Sequence, residues 1–120
     1  MDAATVKVLV EALEAEINNG GFDQFFFNSA GDKTLETIEA LTAIGAAHTA
    51  AIVRSAADKF PRGRPPQDRD ARQALLEEIS PDGDAFSDED EAFLEYREDL
   101  AALVTSLDPT IFSAGKRVVD

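Results

Sequence analysis

The sequence lacks the residues on which most enzyme sites depend. It contains no cysteine and a single histidine, His48. Without cysteine there are no disulfides, no thiolate nucleophiles and no cysteine-bound metals. No serine lies in a nucleophile elbow, and no glycine-rich loop has the spacing that holds phosphates. The sequence therefore predicts a protein that is not an enzyme and binds no cofactor, with His48 a partly exposed helix residue.

Long apolar runs are absent as well. No stretch approaches the roughly 20 apolar residues that a membrane-spanning helix requires. The N-terminal stretch MDAATVKVLVEALEAE acquires carboxylates where a signal peptide has small residues and a cleavage site. We therefore expect a cytoplasmic protein that does not enter a membrane, and the missing cysteines are consistent with a reducing compartment.

Basic residues are scarce. The chain carries 24 Asp and Glu against 11 Lys and Arg, a net charge of −13. Residues 77–120 hold 13 of the acids and 3 of the basic residues, a net −10. Because nucleic-acid affinity comes chiefly from cations that neutralise phosphates, direct binding of DNA or RNA is disfavoured. The charge favours a basic protein as the partner.

The sequence does have helical periodicity. Apolar residues recur at helical spacing in several segments, and no segment of useful length alternates as a strand does. We predict an all-α fold, a compact single domain over residues 1–120 with six or seven short helices. The predicted helices cover residues 3–18, a short segment around Phe22, Phe25 and Phe26, and residues 32–44, 48–60, 68–79, 87–107 and 110–119.

Polar residues and glycines mark the predicted helix ends. Asp32, Asp68 and Ser87 are predicted N-caps, while the glycines of Asn19-Gly20-Gly21 and Gly45 end the helices before them. The third segment has an apolar stripe of Leu35, Ile38, Leu41 and Ile44. The helix that begins at Ser87 has a stripe of Phe93, Tyr96, Leu100, Leu103, Val104 and Leu107, and Asp108-Pro109 ends it.

The stretch NNGGFDQFFFN, residues 18–28, places two glycines beside four phenylalanines. One interpretation is structural: the glycines end a helix, and Phe22, Phe25 and Phe26 form one buried aromatic face. Phe27 falls off that face and is expected to pack against a second neighbour. The other interpretation is a small-ligand pocket under an aromatic lid. The structural interpretation is favoured because the phenylalanines have no adjacent cation or hydroxyl to orient a ligand.

The loop SPDGDAFSDEDE is similar to a calcium-binding loop in composition only. Counted from Asp82, the third position is Asp84, but the fifth is Phe86 and the sixth, where glycine is needed, is Ser87. No metal site is therefore predicted. Loose millimolar binding of a divalent cation by Asp82, Asp84 and Asp88 is the most that this loop would support.

Five carboxylates form a predicted acidic ridge on the helix after this loop. At 100° per residue they lie within an arc of roughly 100°, away from the apolar stripe. They are Asp88, Glu91, Glu95, Glu98 and Asp99. Over about 16 Å they place one charge every ~4 Å, close to the ~3.4 Å axial spacing of phosphates on one DNA strand. Arg97 is predicted to lie off the ridge.

Helix stability explains only part of this acidic run. Anions in the first turn gain from the helix dipole, which accounts for Asp88 and Glu91. The like-charged pairs Glu91/Glu95 and Glu95/Asp99 are unfavourable and gain nothing from the dipole. A solvated acidic face and a partner-binding surface both remain open at this point.

Three stretches together resemble a known family. They are ALEAEINNGGFDQFFFNSAGD, ETIEALTAIGA and FPRGRPPQDRDAR, and the resemblance covers residues 12–72. The family contains small, acidic, all-helical bacterial proteins of mostly unassigned function. Its functionally described type is a DNA mimic, which occupies the DNA-binding surface of a helix-turn-helix transcription regulator. The resemblance implies the all-helical fold and, as partner, a basic DNA-binding protein.

The leading hypothesis is therefore a DNA mimic that presents residues 82–99 to a basic DNA-binding protein. The candidate residues are Asp82, Asp84, Asp88, Glu91, Glu95, Glu98 and Asp99, with Glu77 and Glu78 as further candidates. One alternative is a small-ligand or catalytic helical domain with a pocket near residues 18–28. The other is an acidic domain without a dedicated partner. Clustered carboxylates would favour the mimic, converging polar side chains the pocket, and evenly scattered acids the last alternative.

Overall fold

The structure, a computed structural model, describes residues 1–107, and this part of the chain forms six α-helices and no strand. The helices are α1 (Ala3–Phe27), α2 (Thr34–Ala43), α3 (Ala47–Ala57), α4 (Arg69–Ile79), α5 (Ser87–Leu94) and α6 (Leu100–Leu107). Short 3₁₀ turns at Ser29–Lys33 and Pro61–Gly63 follow α1 and α3. The all-α prediction is confirmed. The predicted break at Asp108-Pro109 and the helix over residues 110–119 lie outside the described residues.

Helix α1 is central to the fold and contacts α2, α4, α5 and α6. Its predicted apolar stripe is buried: Val6, Leu9, Val10, Leu13 and Ile17. The predicted break is also present, because Gly21 has non-helical backbone angles (φ 73°, ψ −169°) inside the helix. The segment after Gly21 therefore runs in a new direction and carries its own aromatic face.

The aromatic face after Gly21 forms the middle of the core. Phe22, Phe25 and Phe26 have no exposed surface. Phe26 lies 4.8 Å from Phe60 and 5.2 Å from Phe86 between ring centroids. The expectation for Phe27 is wrong: its side chain is 55% exposed. One position beyond Phe26 turns the side chain by about 100°, out of the core.

Two of the three predicted N-caps are wrong. Asp68 does cap α4, accepting a hydrogen bond from the backbone N of Ala71 at 2.9 Å. Asp32 instead belongs to the 3₁₀ turn before α2, and its carboxylate pairs with two arginines of α4. Ser87 is the first helical residue of α5 and not its cap, and its hydroxyl donates to the carbonyl of Asp84 at 2.9 Å.

Helices α2 and α3 form a hairpin, and Gly45, predicted to end the first of them, turns the chain with φ 81°. The apolar stripe of α2 is only partly as predicted, since Leu35 is 37% exposed. Thr34 and Thr37 are buried in its place, and their hydroxyls donate to backbone carbonyls at 2.7 and 2.8 Å. Threonine can replace an apolar residue here because its hydroxyl donates to a backbone carbonyl of the 3₁₀ turn that precedes the helix.

The long helix predicted from residue 87 to 107 is wrong. It is two helices, α5 and α6, separated by residues 95–99. Tyr96 sits at the break with φ 48°, a conformation that an α-helix does not contain. The Tyr96 hydroxyl donates to Glu14 Oε1 at 3.0 Å and accepts from Asn18 Nδ2 at 2.8 Å, so contacts with α1 stabilise the break.

Candidate functional site

The loop before α5 and the first turns of α5 carry four exposed carboxylates, which we call the acidic surface: Asp82, Asp84, Asp88 and Glu91. Gly83, with φ 73°, allows the tight turn between the first two. Asp88 and Glu91 are three residues apart on α5, and this spacing puts them on one face of the helix. None of these four carboxylate groups forms a hydrogen bond or an ion pair with any residue between 1 and 107.

The acidic ridge does not exist as one helical face, because α5 ends at Leu94. Glu95 is the C-cap of α5, and its carboxylate lies 3.2 Å from the guanidinium Nε of Arg97. Arg97, which was predicted to lie off the ridge, is thus paired with one of the five residues assigned to it. Glu98 and Asp99 belong to the segment that leads into α6 and do not continue the face of Asp88 and Glu91.

Glu98 caps a helix that is distant in sequence. Its carboxylate accepts from the backbone N of His48 at 3.1 Å and from the backbone N of Thr49 at 2.8 Å, both in the first turn of α3. The Thr49 hydroxyl donates to the same carboxylate at 2.7 Å. Partial burial raises the pKa of Glu98, but the hydrogen bonds from Thr49 and His48 outweigh it and hold the pKa below its ordinary value. The Glu98 carboxylate is therefore already engaged in hydrogen bonds within the fold.

Asp99 caps α6. Its carboxylate accepts from the backbone N of Ala102 at 3.1 Å, and its carbonyl accepts from the backbone N of Leu103. The sequence contains the signal for this cap, since Asp precedes the periodic apolar run Leu100, Leu103 and Val104. We did not predict this cap because the apolar residues from Phe93 onward fit a single continuous helix.

The glycines of the NNGGFDQFFFN stretch serve the fold. A Cβ atom on Gly21 would lie 2.5 Å from Asp90 Oδ2. Asp90 can approach only because this position is glycine, and its Oδ1 accepts from the backbone N of Phe22 at 2.7 Å. Burial, with Asp23 and Glu89 nearby, raises the pKa of the Asp90 carboxyl above its ordinary value. Asp90 thus caps the second segment of α1.

The polar residues of this stretch are also used internally. Glu16 Oε1 accepts from Gln24 Nε2 at 2.6 Å and from Asn28 Nδ2 at 3.1 Å. Asn19 Nδ2 donates to Gln24 Oε1 at 3.1 Å. A network of side chains bound to one another fixes the position of the aromatic segment, which supports the structural interpretation of the stretch.

Beside Phe27, an open groove of about 530 Å³ lies where the pocket hypothesis places a site. Three of its five polar side chains form hydrogen bonds within the described part of the chain, whereas the carboxylates of Asp23 and Glu77 do not. Gln24 bonds Glu16, Gln73 Nε2 donates to the carbonyl of Phe27 at 2.7 Å, and the Ser80 hydroxyl accepts from the backbone N of Ala85 at 3.2 Å. The groups that remain to orient a ligand are chiefly these two carboxylates, which carry the same charge.

Arg72 holds the end of α1 against α4, a role that the sequence analysis missed. Its side chain is fully buried. It donates to the carbonyls of Phe26, Asn28, Pro66 and Gln67 and to the carboxylate of Asp32, at 2.6 to 3.2 Å. Gly31 makes room for it, because a Cβ there would lie 2.9 Å from Arg72 Nε. Hydrogen bonds from Arg69 and Arg72 hold the pKa of Asp32 below its ordinary value.

Glu89, on α5 between Asp88 and Asp90, is unlike its neighbours because its side chain is only 9% exposed. Its Oε2 accepts from the Ser55 hydroxyl at 2.8 Å and lies 3.5 Å from Lys59 Nζ. Its Oε1 is buried and has no hydrogen-bond partner. His48 Nε2 is buried and unpartnered in the same way, and both residues line a cleft between α3 and α5. This cleft was not identified from the sequence.

Between residues 1 and 107, no three His, Asp or Glu side chains are grouped so that they could hold a metal ion. Within the same range, no helix combines the length and the apolar character needed to cross a membrane.

A family model extends the resemblance suggested by the NNGGFDQFFFN stretch. The model of the DMP19-like protein matches residues 2–108. The match therefore includes the acidic surface as well as residues 12–72. No curated protein and no solved structure matches the chain.

Proposed function

The chain belongs to the DMP19-like protein family, and from this premise we propose that it is a DNA mimic whose acidic surface binds a basic DNA-binding protein, such as a helix-turn-helix transcription regulator. Family membership suggests the mimic function in general terms. The acidic surface is the part of the chain that we propose contacts the partner. The proposal involves no catalytic step, because a mimic acts by occupying the surface that DNA would bind.

The observation that carries the proposal is that, within residues 1–107, no carboxylate of the acidic surface pairs with a cation; Lys59, which lies against α5, pairs with Glu89 instead. Residues 77–99 contain eleven acids and one arginine, and that arginine pairs with Glu95. Asp82, Asp84, Asp88 and Glu91 are therefore exposed without neutralisation. Such a charge distribution attracts a basic protein over a distance and speeds its encounter.

Helix stability does not account for two more acids beside this surface. Glu77 and Glu78 are exposed in the last turn of α4, immediately before the loop that carries Asp82 and Asp84. The negative end of the helix dipole lies there and disfavours anions. Their position is explained if they extend the acidic surface toward a basic partner.

The test begins with affinity capture from a lysate of the host at low and at high salt. We expect a basic DNA-binding protein to be retained at low salt and released at high salt, because exposed charges are screened. The captured protein is then purified, and its binding to labelled duplex DNA is measured with increasing amounts of this chain. A mimic displaces the DNA.

Two matched variants make the test specific. The first neutralises the acidic surface with Asp82→Asn, Asp84→Asn, Asp88→Asn and Glu91→Gln. The second makes the same change in net charge at four exposed acids elsewhere: Glu11, Glu39, Asp58 and Asp70. We expect the first to lose DNA displacement and the second to retain most of it. Equal loss in both would indicate a general charge effect, and retention by both would refute the proposal.

A further inference from the structure

The cleft between α3 and α5 has the size and lining of a receptor for one side chain. Its volume is about 240 Å³, below the ~300 Å³ at which pockets for small molecules usually begin. Ala51, Ile52 and Ala92 give it apolar walls. Asp88, a member of the acidic surface, also lines the cleft, so it opens beside the residues proposed to contact the partner.

Two polar atoms of the cleft have no partner. Glu89 Oε1 is buried without a hydrogen bond although a carboxylate accepts through both oxygens. Lys59 does not supply the missing donor, because it lies 3.5 Å from the other oxygen, Oε2, which Ser55 also occupies. His48 Nε2 is the second such atom. Unpaired buried polar atoms are uncommon and unfavourable in folded proteins, so a ligand with donors would stabilise both.

From these observations, and resting on the proposed function, we infer that the cleft receives an arginine side chain of the basic partner. The methylene groups would contact the apolar walls, and the guanidinium would donate to Glu89 Oε1. A guanidinium carries five donors in a planar fork and no acceptor. It can therefore also donate to His48 Nε2 in the tautomer that carries its proton on Nδ1. The two acids at the cleft, Asp88 and Glu89, disfavour an anion.

The probe is an acetylated heptapeptide with one central arginine among alanines and serines, compared with the same peptide carrying neutral citrulline. Binding is followed by backbone amide shifts in NMR spectra of the full chain. We expect the arginine peptide to shift the amides of Ala51, Ser55 and Ala92. The citrulline peptide should bind at least about tenfold more weakly, because the positive charge is lost. Equal binding of both peptides, or shifts confined to other surfaces, would overturn the inference.

Three variants locate the binding. Glu89→Gln keeps an acceptor for Ser55 but removes the charge, and we expect about a tenfold loss of affinity. Glu39→Gln removes an equal charge from an exposed position on α2, outside the cleft and the acidic surface, and should change affinity less than about twofold. Ala51→Leu fills the cleft from an exposed position without changing charge, and should also abolish the shifts. If Glu89→Gln and Ala51→Leu bind the arginine peptide as the natural chain does, the inference is wrong.

The failure of this inference is distinguishable from failure of the mimic proposal. The variant with Asp82→Asn, Asp84→Asn and Glu91→Gln keeps Asp88 and leaves the cleft intact. If this variant loses the captured DNA-binding protein while Glu89→Gln and Ala51→Leu retain it, the mimic proposal stands and the cleft does not contribute. Loss of that protein in all three variants supports both.

Discussion

Glu98 accepts hydrogen bonds from both the backbone N and the hydroxyl of Thr49, a residue 49 positions away in the sequence, at 2.8 and 2.7 Å. Helix α3 has no side-chain cap of its own, since its N-cap residue is Ala46. The carboxylate of Glu98 supplies that cap from the segment between α5 and α6. This contact joins the second half of the chain to the α2–α3 hairpin.

We predict that Glu98→Ala lowers the free energy of unfolding by about 2 kcal/mol, because N-cap loss and an unpaired Thr49 hydroxyl both contribute. Glu98→Gln, which keeps one acceptor, should cost about 1 kcal/mol. Urea denaturation measures both. Glu95→Ala is the control, because its exposed pair with Arg97 is worth less than about 1 kcal/mol. An equal effect of the two alanine variants would show that the cap contributes nothing particular.

The same contact predicts a pH dependence. The folded pKa of Glu98 is lowered, so its contribution is fully present above the unfolded value and is lost as pH falls through the folded value. The difference in unfolding free energy between the natural chain and Glu98→Gln should therefore be constant at neutral pH and shrink on acidification below the ordinary glutamate range. A difference that grows at low pH would contradict this assignment.

Gly21→Ala should be more destabilising than Gly83→Ala. Both glycines have φ 73°. At Gly21 the ψ of −169° lies in a region essentially confined to glycine, so alanine costs about 1–3 kcal/mol there from backbone conformation alone. Nothing lies within 4 Å of a Cβ on Gly83, whereas one on Gly21 meets Asp90 at 2.5 Å. Displacing Asp90 also breaks its bond to Phe22, which adds about 1 kcal/mol or more. Thermal unfolding compares the two, and equal losses would show that Asp90 moves aside freely.

Asp90→Asn is predicted to raise stability at neutral pH. Desolvation raises the pKa of Asp90, so the folded state favours the uncharged form, and stability falls as pH rises from the unfolded pKa to the folded one. Asparagine keeps an acceptor for the backbone N of Phe22 and has no charge. The gain should vanish in acid. Asp88→Asn, at an exposed position in the first turn of the same helix, is the control and should lose only the helix-dipole contribution of about 0.3–1 kcal/mol. A loss of stability in Asp90→Asn as large as that in the control would contradict the assignment.

Arg72→Lys should lower the free energy of unfolding by about 3 kcal/mol, because a buried guanidinium with several acceptors is replaced by a single ammonium that leaves some of them unpaired. Arg69→Lys is the matched control. Both arginines contact Asp32, but the Arg69 side chain is 49% exposed and that of Arg72 is 0% exposed. The control should cost less than about 0.5 kcal/mol. Similar losses measured by urea denaturation would mean that burial of Arg72 is unimportant.

The sequence by itself determined the helical class, the core stripe of α1, the break at Gly21 and the aromatic face after it. These features depend on the spacing of neighbouring residues and on glycine's freedom at positive φ, so they can be read from a short segment of the sequence. It also determined that residues 77–99 are acidic, and hence that Asp82, Asp84, Asp88 and Glu91 are candidates for binding a basic protein.

Only the tertiary structure decided which carboxylates are available. The spacing of Asp88, Glu91, Glu95, Glu98 and Asp99 fits one continuous helix, but contacts of Tyr96 with α1 and of Glu98 with α3 outweigh the local preference for continuing it. Such contacts join residues that are tens of positions apart, so no local pattern contains them. For the same physical reason, the burial of Glu89 and the five hydrogen bonds of Arg72 could be seen only once α3, α4 and α5 were packed against α1.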